Sequence, residues 1–231
     1  MLLKILNKEG QYFIPVFVFF LLFFIVNIYN NLDISKLSYW ASVILKEPHR
    51  IISYPFAHKD LNHLLSNLFG IIVVRYCFLN LNLKNSYLFL YLIILLIPIQ
   101  TFFLMILDNF LTNNYNHLLV GFSGVLYGTY GFLLLSSIHG KKNMFNIFIG
   151  LEKNNDIKKL MILFLSFGMI YSLLPNISLA GHLTGLLSGF IIFLIWNRFI
   201  FNLNGWNIHY ILKVEISLVS ILTWRIIFRL D

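Results

Sequence analysis

Long apolar runs alternate with short polar segments along most of this 231-residue chain. A helix needs about 20 apolar residues, within a range of about 17–25, to cross a bilayer. Six runs are close to that length, and the shortest of them is the fifth. They lie at about residues 12–29, 61–79, 87–107, 120–138, 160–174 and 179–196. The pattern therefore predicts an all-α fold, a polytopic membrane bundle of six transmembrane helices.

The runs also divide the chain into three parts. Residues 1–11 are predicted as a short cytoplasmic N-terminus, residues 12–200 as one six-helix domain and residues 201–231 as a C-terminal tail. No A-x-A-like cleavage site follows the first run, which favours a retained span over a signal peptide. In the tail, residues 208–228 are apolar but contain charged positions, so they predict either an interfacial helix or a seventh span.

Composition supports a membrane location. The chain is 59% hydrophobic and 11% charged, whereas soluble domains carry about 25% charged residues. Its net charge of +8 fits basic cytoplasmic loops and anionic lipid headgroups rather than nucleic acid. The distribution of Lys and Arg places the N-terminus in the cytoplasm. Abundant Asn, Ile, Phe and Leu suggest an AT-rich genome, and the short N-terminus favours a bacterial plasma (inner) membrane over an organelle.

Polar side chains stand in the first turns of spans two, four and six, which all enter the membrane from the outer side. They are His63 and Asn67 of span two, Ser123 of span four and His182 of span six. At about 1.5 Å per residue, each lies within about 10 Å of the outer end of its helix. Because polar groups inside a bilayer are costly and usually functional, we predict a shared site near the outer face.

Glycine stripes predict that spans four and six touch. The stripes are Gly124, Gly128 and Gly131 in span four and Gly181, Gly185 and Gly189 in span six. Each stripe lies on one helical face, and small residues let membrane helices approach closely. Such contact would bring Ser123 within hydrogen-bonding reach of His182, about 2.6–3.2 Å. A serine becomes a nucleophile when a base lies beside it.

Together these residues resemble the motifs of the rhomboid intramembrane serine proteases. The matching elements are GFSGVLY at residues 121–127, GHLTG at residues 181–185, the trio His58, His63 and Asn67, and Arg50 in the first loop. The resemblance covers about residues 12–200. It implies the six-helix form of the family, with single-span or polytopic membrane proteins as substrates, the lipid bilayer as surroundings, and neither cofactor nor metal.

The resemblance also implies a role for each matching residue. Ser123 would be the nucleophile and His182 the general base and acid. An oxyanion hole would combine His63, Asn67 and the backbone N–H of Ser123. The supporting residues would be Tyr127 under the imidazole ring, Gly121, Gly124 and Gly185 at close contacts, and His58 and Arg50 in ordering the first loop.

Other chemistries remain as alternatives. A metal site of His58, His63 and His182 would lack the H-E-x-x-H arrangement. Aspartyl chemistry needs two carboxylates within the spans, and Asp108 is the only acid near the depth of spans two to six. A non-enzymatic relative that binds membrane clients, or a transporter, is the remaining alternative.

Overall fold

The computed structural model describes residues 20–21, 23–25, 33–81, 88–144, 147–175 and 177–198. Its α-helices are α1 (Arg50–Ser53), α2 (Leu61–Asn80), α3 (Leu88–Ile106), α4 (Ser123–His139), α5 (Asn155–Tyr171) and α6 (Leu179–Arg198). Helices α2 to α6 correspond to predicted spans two to six. Most of predicted span one, residues 12–29, and the whole tail, residues 201–231, lie outside the described residues.

The boundaries of the fifth span differ from the prediction. Helix α5 begins at Asn155, five residues before the predicted start, and ends at Tyr171 rather than at Leu174. The Asn154 side chain accepts hydrogen bonds from the N–H groups of Asp156 and Ile157, both at 3.0 Å. This N-cap, with an acid in the first turn, stabilises a helix start in polar sequence.

The prediction of an all-α chain is incomplete, because two short antiparallel ribbons accompany the helices. Strand β1 (Tyr39–Trp40) pairs with β2 (Leu118–Leu119), and β3 (Lys141–Met144) pairs with β4 (Ile147–Leu151). A two-residue strand is too short to carry an alternating pattern in the sequence. The β1–β2 ribbon joins the first loop to the segment that leads into α4.

Helix α4 forms the centre of the bundle. It packs most extensively against α6 and also contacts α2, α3 and α5. A Cβ atom added to Gly185 would lie 2.0 Å from the carbonyl oxygen of Gly124, and one added to Gly189 would lie 1.9 Å from that of Gly128. Glycine is therefore required where the two backbones meet, and this contact places the start of α6 beside the start of α4.

Apolar side chains also cover the outer surfaces of the helices. Among the described residues, two helical stretches are long and apolar enough to cross a bilayer, Leu61–Asn80 and Phe89–Leu111, and Leu179–Ile195 is a shorter apolar helix. Large exposed apolar side chains include Phe69 of α2 and Phe167 of α5. A mostly helical chain with such surfaces is consistent with a helical membrane bundle.

Candidate active site

Ser123 and His182 meet at the junction of α4 and α6. Ser123 is the first residue of α4, and His182 lies in the first turn of α6. The Oγ atom of Ser123 is 2.8 Å from Nε2 of His182. The hydroxyl is partly accessible, whereas the imidazole is only 6% exposed. The arrangement thus pairs a reachable hydroxyl with a buried base.

The other imidazole nitrogen contacts a residue that the sequence analysis did not single out. Nδ1 of His182 lies 2.5 Å from Oγ of Ser172, which is the C-cap residue of α5. The Ser172 hydroxyl donates a hydrogen bond to the carbonyl oxygen of Gly168, at 2.6 Å. Both nitrogens of His182 therefore have a hydroxyl partner, one from α4 and one from the end of α5.

Tyr127 lies flat against the same imidazole. Its ring centroid is 4.1 Å from that of His182, with an angle of 7° between the planes. Gly168 of α5 makes room for the phenol, because a Cβ atom there would lie 1.9 Å from the tyrosine hydroxyl oxygen. The stack restricts the imidazole to one plane.

His63 lies against the backbone just before Ser123. Gly121 has a φ of +105°, a conformation that glycine adopts without steric cost. A Cβ atom at Gly121 would lie 2.4 Å from Nε2 of His63 and 3.4 Å from Nδ2 of Asn67. The N–H of Gly121 is fixed by the carbonyl of Tyr54, at 2.9 Å. Because Gly121 has no side chain, His63 and Asn67 of α2 can approach the backbone two residues before Ser123.

Asn67 is held by His58, and the hydrogen bonds of His58 show which of its ring nitrogens carries the proton. Nδ1 of His58 lies 2.8 Å from the carbonyl oxygen of Phe56, so this nitrogen must carry the proton. Nε2 then accepts from the Asn67 amide, also at 2.8 Å. The amide has a second N–H that this bond does not use. His58 therefore orients the Asn67 NH₂ group as well as contacting the first loop.

The beginning of α4 supplies further donors. Its N-cap residue, Phe122, makes no side-chain capping hydrogen bond. The first N–H groups of a helix have no intrahelical partner, and the helix dipole favours negative charge at this end. The N–H of Ser123 is one of these groups, so the backbone at the start of α4 also presents a donor suited to an anion.

Comparison with known protein families identifies one matching domain. The model of the Rhomboid domain matches residues 45–199. The chain belongs to the rhomboid family. No match was found among the curated proteins. Rhomboid domains define a family of intramembrane proteases, and the family together with the apolar helices identifies an integral membrane protein.

Arg50 organises the first loop of this rhomboid domain. Its guanidinium donates to the carbonyl oxygens of Ser35 and Ser38, the latter at 2.9 Å, and its Nε donates to the Glu47 carboxylate at 2.7 Å. The guanidinium also lies over the Trp40 ring, 5.9 Å from its centroid. Arg50 therefore holds separate parts of the first loop together through hydrogen bonds. Within the described residues it makes no contact with Ser123 or His182.

A second polar cluster, also missed in the sequence analysis, stabilises the start of α6. Buried Asp108 accepts hydrogen bonds from Tyr39 at 3.0 Å and from Nδ1 of His117 at 2.8 Å. Nε2 of His117 lies 3.3 Å from Oγ of Ser178, and that hydroxyl accepts the N–H of Gly181 at 3.0 Å. The cluster links the end of α3 and the β1–β2 ribbon to the turn before His182.

Proposed function

We propose that this protein is an intramembrane serine endopeptidase that cleaves transmembrane segments of membrane proteins near the outer face of the bilayer. Ser123 and His182 form its catalytic dyad. The observation that carries the proposal is the 2.8 Å contact between Oγ of Ser123 and Nε2 of His182, in a chain of a protease family.

Cleavage proceeds through an acyl-enzyme. Oγ of Ser123 attacks the carbonyl carbon of the scissile peptide bond while its proton passes to Nε2 of His182. The tetrahedral intermediate collapses, and His182 returns the proton to the leaving amine. A water molecule then attacks the ester, with His182 accepting its proton, and the release of the carboxyl product restores the Ser123 hydroxyl.

The negative charge on the carbonyl oxygen is stabilised by an oxyanion hole. Its donors are the backbone N–H of Ser123, the free N–H of the Asn67 amide and the His63 ring. Asn67 is 2% exposed, and His58 holds its amide group through a hydrogen bond. Donors fixed before the reaction act more strongly than solvent, because they need not reorient as the charge develops.

The membrane arrangement follows from the apolar runs and the charges between them. We propose six transmembrane helices, with the N-terminus in the cytoplasm and the dyad near the outer face of a bacterial plasma membrane. The substrates are single-span or polytopic membrane proteins, and the reaction uses neither a cofactor nor a metal ion. Outer-face placement gives the hydrolytic water a short route to the acyl-enzyme.

The alternative metal site has a specific difficulty. Both nitrogens of His58 and both nitrogens of His182 already take part in hydrogen bonds with the protein. A metal ion bound by these side chains together with His63 would have to break several of those bonds. The serine mechanism does not require any of these hydrogen bonds to be broken before the reaction starts.

The experiment that tests the proposal uses the purified full chain in proteoliposomes with a single-span reporter protein. We expect cleavage within the reporter span, resistance to chelators, and covalent labelling of Ser123 by a fluorophosphonate, with mass spectrometry locating both events. An intact reporter would favour the non-enzymatic alternative. Cleavage that chelators abolish while Ser123 stays unlabelled would favour the metal site.

Replacing Asn67 with alanine removes one proposed donor to the oxyanion. We expect kcat for reporter cleavage to fall by about 10²–10³-fold, the usual effect of losing such a donor. Asn62→Ala is the matched control, because Asn62 is an exposed asparagine on the same helix. Equal rates for Asn67→Ala and Asn62→Ala would exclude Asn67 from the oxyanion hole.

The buried loop residue His58 predicts a pH-dependent stability. Burial lowers the pKa of His58 from 6.5 to about 4, and the nearby His63 ring is a smaller cause of the same decrease. Between these values the unfolded chain binds more protons than the folded chain, so stability falls as the pH drops from about 6.5 to about 4 and then levels off. The difference corresponds to about 3 kcal/mol in the free energy of unfolding.

Denaturant titrations in detergent at pH 7 and pH 4.5 measure this dependence. The variant His58→Gln should show a smaller decrease in stability between the two pH values than the wild type, although it is less stable at both. His139→Gln alters an exposed histidine at the end of α4 and should keep the wild-type dependence. If both variants respond to pH alike, His58 is not the group that titrates.

A further inference from the structure

Ser172 is the contact of His182 that the proposed mechanism does not yet use. We propose that Ser172 is a positioning residue that selects the tautomer of His182 and fixes the rotation of its ring. Its effect on catalysis rests on the proposed function, whereas its effect on the tautomer is a property of the resting protein and can be measured without a substrate.

The Ser172 hydroxyl has a single hydrogen to donate. The carbonyl oxygen of Gly168, 2.6 Å from Oγ, can only accept a hydrogen bond, so that bond consumes the hydroxyl hydrogen. Toward Nδ1 of His182, at 2.5 Å, Ser172 can therefore only accept. Nδ1 must carry the proton of the neutral imidazole, and Nε2 is left with its lone pair facing Ser123.

This tautomer is the one that the mechanism requires. A base can accept the Ser123 proton at Nε2 only if that nitrogen is unprotonated. When it does so, the ring becomes an imidazolium, and its Nδ1–H becomes a stronger donor to Oγ of Ser172. The hydrogen bond is thus strengthened when positive charge develops, which is the condition for an interaction to accelerate the chemical step.

Ser172 and Tyr127 constrain different motions of the same ring. The Tyr127 stack, 4.1 Å from the imidazole at an angle of 7°, fixes the plane of the ring but leaves it free to turn within that plane. The Ser172 bond at Nδ1 prevents this turning.

The site therefore does without a carboxylate to orient the base. In the Ser-His-Asp arrangement an aspartate accepts the Nδ1 proton and holds the tautomer. Ser172, a buried residue that is 2% exposed, occupies the equivalent place relative to the ring with a neutral oxygen. A neutral acceptor suits this depth because burying a carboxylate there would be costly.

The first test compares the kinetics of Ser172→Ala with those of the wild type on the single-span reporter. We expect kcat to fall about tenfold with KM unchanged, because a hydrogen bond to a developing charge is lost while substrate contacts are retained. Ser136→Ala is the matched control: this fully buried serine on α4 also donates to the carbonyl four residues earlier. Ser172→Thr, which keeps the hydroxyl, should recover most of the rate.

The second test reads the tautomer directly. Nitrogen-15 spectra of the histidine-labelled full chain in detergent distinguish the two neutral tautomers, and His182→Ala identifies the relevant signals. We expect His182 to be protonated at Nδ1 in the wild type and in Ser136→Ala, and to shift toward protonation at Nε2 in Ser172→Ala.

The outcomes separate this inference from the proposed function. An unchanged His182 tautomer in Ser172→Ala, or cleavage by that variant within about twofold of the wild-type rate, would overturn the role of Ser172. If the wild type fails to cleave any reporter but Ser172→Ala still changes the tautomer, the protease proposal fails and the positioning role stands.

Discussion

Replacing Ser123 with alanine should reduce reporter cleavage by about 10⁶-fold, the size of the loss found when the nucleophile of a serine protease is removed. Without the hydroxyl, no acyl-enzyme can form, and the remaining donors can only polarise the carbonyl. His182→Ala should cause a loss of similar size. Rates are measured by quantifying cleaved reporter over long incubations with purified protein.

The double variant provides a sharper criterion. Because Ser123 and His182 act as one unit through a contact of 2.8 Å, removing both should cost little more than removing either one. Ser188→Ala, a change in a fully buried serine of α6, should cleave at close to the wild-type rate. Losses that multiply in the double variant would mean that the two side chains act separately.

Replacing Gly185 with alanine should damage both stability and activity. The new Cβ atom would lie 2.0 Å from the carbonyl oxygen of Gly124, and neither backbone can move without separating α4 from α6. Overpacking of this kind usually costs about 1–3 kcal/mol. Misplacement of the dyad by about 1 Å is enough to lower the cleavage rate about 100-fold.

Gly181→Ala is the comparison that makes this prediction specific. It is the same substitution in the same helix, but its Cβ atom would meet side-chain atoms of Leu119 at 3.1 and 3.2 Å and of Ser178 at 3.3 Å. These side chains can adjust. Denaturant titrations and cleavage rates should both show a much larger effect at Gly185, and equal effects would contradict the proposed backbone contact.

Much of this site could be predicted because residues three or four apart in sequence lie on the same face of a helix. Glycines three and four residues apart mark the face along which α4 and α6 meet, and span direction places Ser123 and His182 at one depth. Gly181 is an exception within the stripe, since it faces Leu119 and Ser178 rather than α4. The stripe predicted which helices touch but not which member makes each contact.

Other features depend on tertiary contacts that carry no periodic signal. The β1–β2 ribbon and the hydrogen bond from Tyr39 to Asp108 join segments that are far apart in sequence. Ser172 had a usable signal: it is a serine in the last turn of predicted span five, ten residues before His182. Because span five ends on the side of the membrane where span six begins, the sequence already implies that Ser172 and His182 lie at a similar depth.

Because Ser172 is the C-cap residue of α5, the thickness of the bilayer should affect the proposed proton transfer from Ser123 to His182. Helix α5 has 17 residues, about 25 Å in length, which is shorter than a hydrocarbon layer of about 30 Å. It is anchored mainly through one face, by Ile157, Met161 and Leu165. A bilayer must thin around a helix that is too short to cross it, so a lipid with longer acyl chains should pull on the ends of α5, move the serine away from the imidazole and slow turnover while the bundle remains folded.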